Sequence, residues 1–245
     1  MGSVTKATAD VVICGAGIAG ISAAYHLSVK RGVKNILIID ERPPLTLTSD
    51  KSTECYRNWW PGPGDAMVSF MNHSIDLLEA MALETDNIFN LSRRGYLFLT
   101  GDVARADTLR DSAAEISQLG AGPLRVHDGG SSPQVYRRSP ANGFEGEPSG
   151  ADLILDTEVI MAHYPFVTEK VVAALHTRRC GWFSAQQMGI YMLEQAISHG
   201  ARLLNARVTG ATTRGGRVRA VRFQSADGDN QVSTDTFVIA AGPYI

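Results

Sequence analysis

The stretch Val11-Val12-Ile13-Cys14-Gly15-Ala16-Gly17-Ile18-Ala19-Gly20 runs a short apolar segment straight into three glycines spaced G-x-G-x-x-G. Ile21 to Val29 then reads as a helix, Gly32 as its stop, Asn35 to Ile39 as a second apolar strand, and Asp40 sits at the tip of that strand. In this strand–loop–helix–strand setting each glycine has a separate task. Gly15 permits the tight turn out of the strand, Gly17 lets a pyrophosphate approach the backbone, and Gly20 lets the helix lie close to the strand. The N–H groups at the helix start, around Ile18 and Ala19, carry partial positive charge that suits phosphate. Asp40, about 20 residues beyond Gly20, is placed to accept hydrogen bonds from a ribose diol. The unit predicts an α/β, Rossmann-like dinucleotide-binding domain. An acid at the strand tip repels a 2′-phosphate, which disfavours NADP; the fingerprint itself does not separate NAD from FAD.

With 245 residues, 44% of them hydrophobic and 20% charged, the chain can bury a full core. A net charge of −2 leaves no electrostatic footprint for nucleic acid or an anionic membrane. The longest apolar runs are of strand length, so no membrane span is predicted, and no secretory signal is read in the first residues. Cys14, Cys55 and Cys180 are odd in number and far apart, which indicates neither a disulfide framework nor a zinc site and makes a reducing cytoplasm the expected setting.

Beyond Asp40, Pro43-Pro44 breaks regular structure, and Glu41 to Gly64 reads as a long irregular stretch rich in Ser, Thr and Trp. Asp65 caps a predicted helix to Glu84 with Met67, Phe70, Met71, Ile75, Leu78 and Met81 at helical spacing. Arg94 to Thr100 reads as a strand, Asp102 to Leu119 as a helix, and Gly129 to Gly150 as a surface excursion. Ser184 to His199 is a strongly signalled helix, with Ser184 and Gln187 as a capping box and Gly200 as its stop. A strand at Arg202 to Val208, a hairpin around Asp227-Gly228-Asp229 and a last apolar strand, Thr236 to Ala240, complete the pattern. That last strand is apolar enough to be expected in the middle of a sheet.

In this order the pieces resemble the FAD-dependent oxidoreductases of the D-amino-acid oxidase and sarcosine oxidase type, the DAO family, whose βαβ start is glutathione-reductase-like. The segments that carry the resemblance are Asp10 to Gly20, Ile36 to Glu41, Ser49 to Thr53, Trp182-Phe183 with the helix after them, Arg207-Val208-Thr209-Gly210, and Val238-Ile239-Ala240-Ala241-Gly242-Pro243. The resemblance implies FAD as cofactor. It also implies FAD-binding parts at about 9–64 and 184–245, interrupted by an α+β substrate-side insertion at about 90–183. The site residues it implies are Gly15, Gly17, Ile18, Ala19, Gly20, Asp40, Glu41, Arg42, Ser52, Thr53, Val208, Ala240, Ala241 and Gly242. An irregular Ser, Thr and Trp loop after Asp40, in place of another strand–helix pair, agrees with FAD over NAD.

The family continues well past the position of Gly242-Pro243, so the chain is read as an amino-terminal part, and as a poor enzyme by itself. The resemblance implies that several relatives place their main catalytic basic residue beyond that point, and no catalytic residue is assigned. Tyr56, Arg57, Trp59, Trp60, Arg178 and Arg179 are read either as pocket lining or as packing and ion pairs. Cys55 lies where dimethylglycine-oxidising relatives carry a flavin-linked histidine; an unlinked thiol, and hence a non-covalent flavin, is the expectation. No metal site is expected. The implied activity is oxidation of the C–N bond of a small amine or amino acid by hydride transfer to flavin N5. The alternatives are oxidation of a hydroxy acid or a glycerol phosphate, and a non-catalytic FAD-binding subunit completed by a partner chain.

Overall fold

A computed structural model describes residues 7–130 and 135–244. In chain order its elements are β1 (Val11–Cys14), α1 (Ile18–Tyr25), β2 (Ile36–Asp40), α2 (Thr48–Lys51), β3 (Cys55–Arg57), α3 (Ala66–Glu84) and β4 (Tyr96–Thr100). There follow α4 (Val103–Ile116), β5 (Leu124–His127), β6 (Ala151–Ile154), α5 (Thr157–His163), β7 (Ala173–Thr177), β8 (Cys180–Trp182) and α6 (Ala185–Ser198). The last are β9 (Ala201–Asn205), β10 (Arg207–Arg214), β11 (Arg217–Ser225), β12 (Gly228–Ser233) and β13 (Phe237–Ile239). They form two compact units, Met1–Ser52 with Ala185–Ile245, and Thr53–Ser184.

The first unit is built on a parallel sheet of order β13-β1-β2-β9. Alternation along the strands decides its two faces. Val11 and Ile13 of β1 and Ile36 and Ile38 of β2 pack with Ala24 of α1 and Ala196 of α6. The intervening Val12, Leu37 and Ile39 point the other way, onto Val221, Phe223 and Val232 of the antiparallel sheet β10-β11-β12. Helices thus cover one face and a small meander the other. The predicted strand from Arg202 to Val208 is in fact two, because Ala206 ends β9, its N–H bonded to the Asp40 carbonyl, before β10 begins. The last strand, expected in the middle of a sheet, is β13. Among the described residues β13 pairs only with β1, at one end of the sheet, and Ile239 is 56% exposed.

The second unit has a mixed sheet of order β4-β7-β6-β5 and a short pair β3-β8. Leu153 and Leu175 pack with Trp59, Val68 of α3 and Ala113 and Ile116 of α4 on one side. Ile154 and Ala174 pack with Tyr136, Ile160 and Tyr164 on the other. The helix predicted from Asp65 forms as expected, although Asp65 sits in a helical conformation and makes no side-chain cap. The excursion from Gly129 to Gly150 needs correcting. Positions 131–134 lie outside the described residues, but Tyr136, Ser139 and Phe144 are buried, so this segment is part of the unit's packing. Residues 53–64, expected with the nucleotide-binding parts, group with this unit.

No helix among the described residues is long and apolar enough to cross a membrane.

Candidate functional site

The carboxyl ends of β1, β2 and β13 meet in the first unit, and a groove runs over them. Ala16, Gly17, Asp40, Arg42, residues 45–49 and residues 240–243 line one part of it. Cys14, Ile39, Glu41, Ala206, Val208, Ala241 and Tyr244 line an adjoining part, and Gly15, Asp40 and Arg42 border both. In an open parallel sheet a ligand binds in this crevice outside the carboxyl ends of the strands.

The three glycines differ in what a side chain would meet. At Gly15, where φ is +109°, an added Cβ would lie 2.3 Å from the carbonyl oxygen of Ala240. At Gly20 it would lie 2.0 Å from the carbonyl oxygen of Gly15, so α1 is seated directly on the loop. At Gly17 the only neighbour is Ser49 Oγ at 3.5 Å. Gly17 therefore leaves room for a side chain where the other two do not, and that room lies at the N-terminus of α1. The first intrahelical bond is Ile21 N–H to the Gly17 carbonyl at 3.0 Å, leaving the earlier N–H groups as terminal donors. Ile18 N–H donates to Ser49 Oγ at 3.0 Å.

Asp40 is held by two backbone donors from different loops: Ala16 N–H reaches Oδ2 at 2.7 Å and Arg42 N–H reaches Oδ1 at 2.9 Å. A carboxylate accepts about four hydrogen bonds, so acceptor capacity remains on the groove side. Burial and the Asp40 charge together push the Cys14 thiol pKa up, which keeps this groove residue protonated. Glu41 forms an ion pair of 4.0 Å with Arg207. Arg42 reaches Tyr244, and Gly189 of α6 lies so close to Leu45 that a Cβ there would meet its methyl carbons at 2.7 and 2.8 Å.

The structure thus brings Gly15, Gly17, Asp40, Glu41, Arg42, Val208, Ala240, Ala241 and Gly242 to the groove. Ile18, Ala19 and Gly20 stand at the helix start, with Gly20 committed to packing. Ser52 and Thr53 do not line it. Thr48–Lys51 coil into a helical turn that puts Thr48 and Ser49 at the groove instead, and Ser52 caps that turn at its far end. Sequence reasoning also missed Cys14 and Tyr244. Cys14 has the signal of ending the strand before the first glycine, whereas Tyr244 has no local one.

In the second unit the residues weighed as pocket lining are occupied otherwise. Tyr56 Oη donates to the Ser92 carbonyl at 3.0 Å, Trp59 is in the core, and Arg57 stacks on Trp60 with its guanidinium 3.8 Å from a ring centroid. Arg179 pairs with Asp76 and with Glu79. Arg178 is buried and spends all three guanidinium nitrogens, on Asp152, on Ser139 Oγ at 3.0 Å and on the Arg137 carbonyl at 2.7 Å. Burial opposes ionisation of Asp152, but hydrogen bonds from Arg125 and His127 and the charge of Arg178 outweigh it and hold its pKa well below the usual carboxylate range. His176 is buried, with Nδ1 2.8 Å from Tyr136 Oη and Nε2 3.0 Å from the Arg94 carbonyl. Burial, with the nearby positive charge of Arg178, pushes its pKa down to about 4. Among the described residues no cluster of His, Cys, Asp or Glu could hold a metal ion.

Comparison with solved structures finds the same fold in longer proteins. The L-proline dehydrogenase of P. horikoshii superposes with a TM-score of 0.73 at 20% identity, over 96% of this chain and 53% of that one. Glycine oxidase from Bacillus cereus ATCC 14579 gives 0.71 at 14% identity, over 97% and 56%. The L-α-glycerophosphate oxidase of Mycoplasma pneumoniae, solved with FAD bound, gives 0.71 at 15% identity, over 97% and 55%. The chain spans about half the length of these solved relatives. No curated protein matches the chain in sequence. Likeness of fold at such identities says little more than fold, but the sequence model of the family described as "FAD dependent oxidoreductase" matches residues 10–245, from the strand before the glycine loop onward. With that match over nearly its whole length, the chain belongs to the DAO family of FAD-dependent oxidoreductases.

Proposed function

We propose that the groove holds FAD, and that the protein to which this chain belongs oxidises the C–N bond of a small amine or amino acid. The observation that carries the cofactor reading is the contrast between Gly17, where a Cβ would make one ordinary contact, with Ser49 Oγ, at the α1 N-terminus, and Gly15 and Gly20, where it would clash with backbone oxygens. The Gly17 backbone, by close approach, and the Ala19 N–H with the helix dipole hold the pyrophosphate, beside Ile18, whose N–H is bonded to Ser49 Oγ. Asp40 takes the adenosine ribose, with Glu41, Arg42 and Val208 beside it and Ala240, Ala241 and Gly242 as the opposite wall. Bound FAD supplies the hydride acceptor that amine oxidation requires. What this chain adds is position: Asp40 ties the glycine loop to the loop after β2 before any ligand arrives, so the cradle is pre-organised.

The amine reading is supported by the proline dehydrogenase and glycine oxidase among the structural neighbours. The glycerophosphate oxidase supports a second reading, oxidation of an alcohol carbon. The two are told apart by one experiment on the longest natural chain. After reconstitution with FAD, its visible spectrum is followed without oxygen against a panel of amines, amino acids, hydroxy acids and glycerol phosphate. Bleaching by an amine or amino acid is expected. Bleaching only by a hydroxy acid or glycerol phosphate overturns the amine reading, and no flavin spectrum at all overturns both.

A further inference from the structure

Two loops wall the groove: residues 41–49 after β2, and residues 240–244 after β13. Among the described residues one hydrogen bond joins them. Arg42 Nη1 donates to Tyr244 Oη at 3.2 Å, and the guanidinium carbon lies 4.9 Å from the centre of the Tyr244 ring. Both residues line the part of the groove that also contains Glu41 and Val208.

We propose that Arg42 and Tyr244 form a latch across the adenosine end of the groove, which sets how slowly FAD leaves. The inference rests on the reading of the groove as the FAD site. A contact made of one hydrogen bond and one stack is weak and breaks readily, which suits a contact that must open for the ligand and is of little use as a structural tie. The latch is also tied to the ribose contact. The Arg42 backbone N–H is bound by Oδ1 of Asp40, while Oδ2 of the same carboxylate holds the glycine loop through Ala16. Whatever orients Asp40 toward a ribose therefore also orients the root of the arginine. Because the contact lies outside the phosphate cradle, its loss acts on release more than on capture.

The test measures FAD dissociation from the loaded protein by the return of free-flavin fluorescence on dilution. Tyr244→Ala and Arg42→Gln are each expected to raise the dissociation rate about fivefold, and Tyr244→Phe, which keeps the stack, by less. The double variant is expected to release FAD no faster than the faster single variant, since either change alone opens the latch. Arg42 also interacts with the cofactor's charge, but that effect is the same in both Tyr244 backgrounds and drops out of the comparison. Release rates within twofold of the unaltered protein, or effects that multiply in the double variant, overturn the latch while leaving the FAD site standing. Failure of the unaltered protein to bind FAD overturns the functional reading and the latch with it.

Discussion

Replacing Gly17 and Gly20 separately by alanine should divide ligand binding from folding. At Gly20 the new methyl would sit 2.0 Å from a backbone oxygen, more than 1 Å inside van der Waals contact, with Ile13 Cγ2 at 3.3 Å on another side. Neither neighbour is the free end of a flexible side chain, so α1 must move off the sheet. Overpacking of this kind costs about 1–3 kcal/mol, which for a chain of this size lowers the melting temperature by roughly 2–12 °C. At Gly17 the backbone has φ −77° and ψ 178°, which any residue adopts, and the methyl meets only Ser49 Oγ at 3.5 Å. Loss of glycine at a helix N-cap costs about 1 kcal/mol or less, and the stiffer unfolded chain offsets part of it. The apoprotein should therefore melt within a few degrees of the unaltered one. Its response to FAD should differ sharply. FAD at about 100 times its dissociation constant stabilises the unaltered protein by about 2.7 kcal/mol, a rise of roughly 5–11 °C. A methyl over the phosphates should weaken affinity by at least about a hundredfold and remove most of that rise. Differential scanning fluorimetry with and without FAD measures all four quantities. An FAD-induced rise that survives in Gly17→Ala would refute the placement of the pyrophosphate, and an unchanged apoprotein melting point in Gly20→Ala would refute the packing argument.

Asp40→Ala should destabilise even the ligand-free protein by about 1–3 kcal/mol, since the Ala16 and Arg42 N–H groups lose their acceptor; an unchanged urea midpoint without FAD would show that water replaces both bonds. His176 in the folded chain resists protonation down to about pH 4, against 6.5 for an ordinary histidine. The unfolded chain takes up that proton first, so stability should fall by roughly 3 kcal/mol as pH drops from 6.5 to 4 and gain no further loss from this group below that. Urea midpoints across the window should show a shallower fall for His176→Gln, and parallel curves would assign the acid sensitivity elsewhere. Cys55 is exposed, its thiol 3.5 Å from the Thr53 carbonyl. Acid precipitation of the FAD-loaded protein should release all yellow colour; colour retained in the pellet and freed by Cys55→Ala would establish a covalent link.

The first βαβ unit was legible because its residues obey two periodicities at once. Val11, Ile13, Ile36 and Ile38 face the helices, Val12, Leu37 and Ile39 face the meander, and the glycines mark the turn between. The helices α3 and α6 and the hairpin of β11 and β12 announced themselves in the same way. Of the second unit's sheet only β4 did, read as Arg94 to Thr100, and the other strands did not for a physical reason. Those strands are four or five residues long and carry polar groups inward: Asp152 on β6 and His176 and Thr177 on β7 are buried because Arg125, Arg178, Tyr136 and the Tyr96 and Arg94 carbonyls meet them from 26 to 82 residues away. Such partners leave no mark on local hydropathy. The same limit explains the shift of the groove hydroxyl from Ser52 and Thr53 to Ser49. Only the bond to Ile18 N–H, 31 residues distant, distinguishes Ser49 from its neighbours in a run of hydroxyl residues.

The seat of Gly15 against the Ala240 carbonyl has a consequence for the order of events in a living cell. A nascent chain that has cleared the ribosome as far as β12 already possesses the glycine loop, Asp40 and the first two parallel strands. It still lacks β13, the strand on the other edge of β1 from β2, and the 240–242 turn that makes the groove's remaining wall. The cradle is closed by segments more than 220 residues apart, with all of Thr53–Ser184 synthesised between them. Closure of the groove therefore waits until residues 240–242 have emerged, and the intervening unit has time to complete its own sheet while the glycine loop waits for its partner.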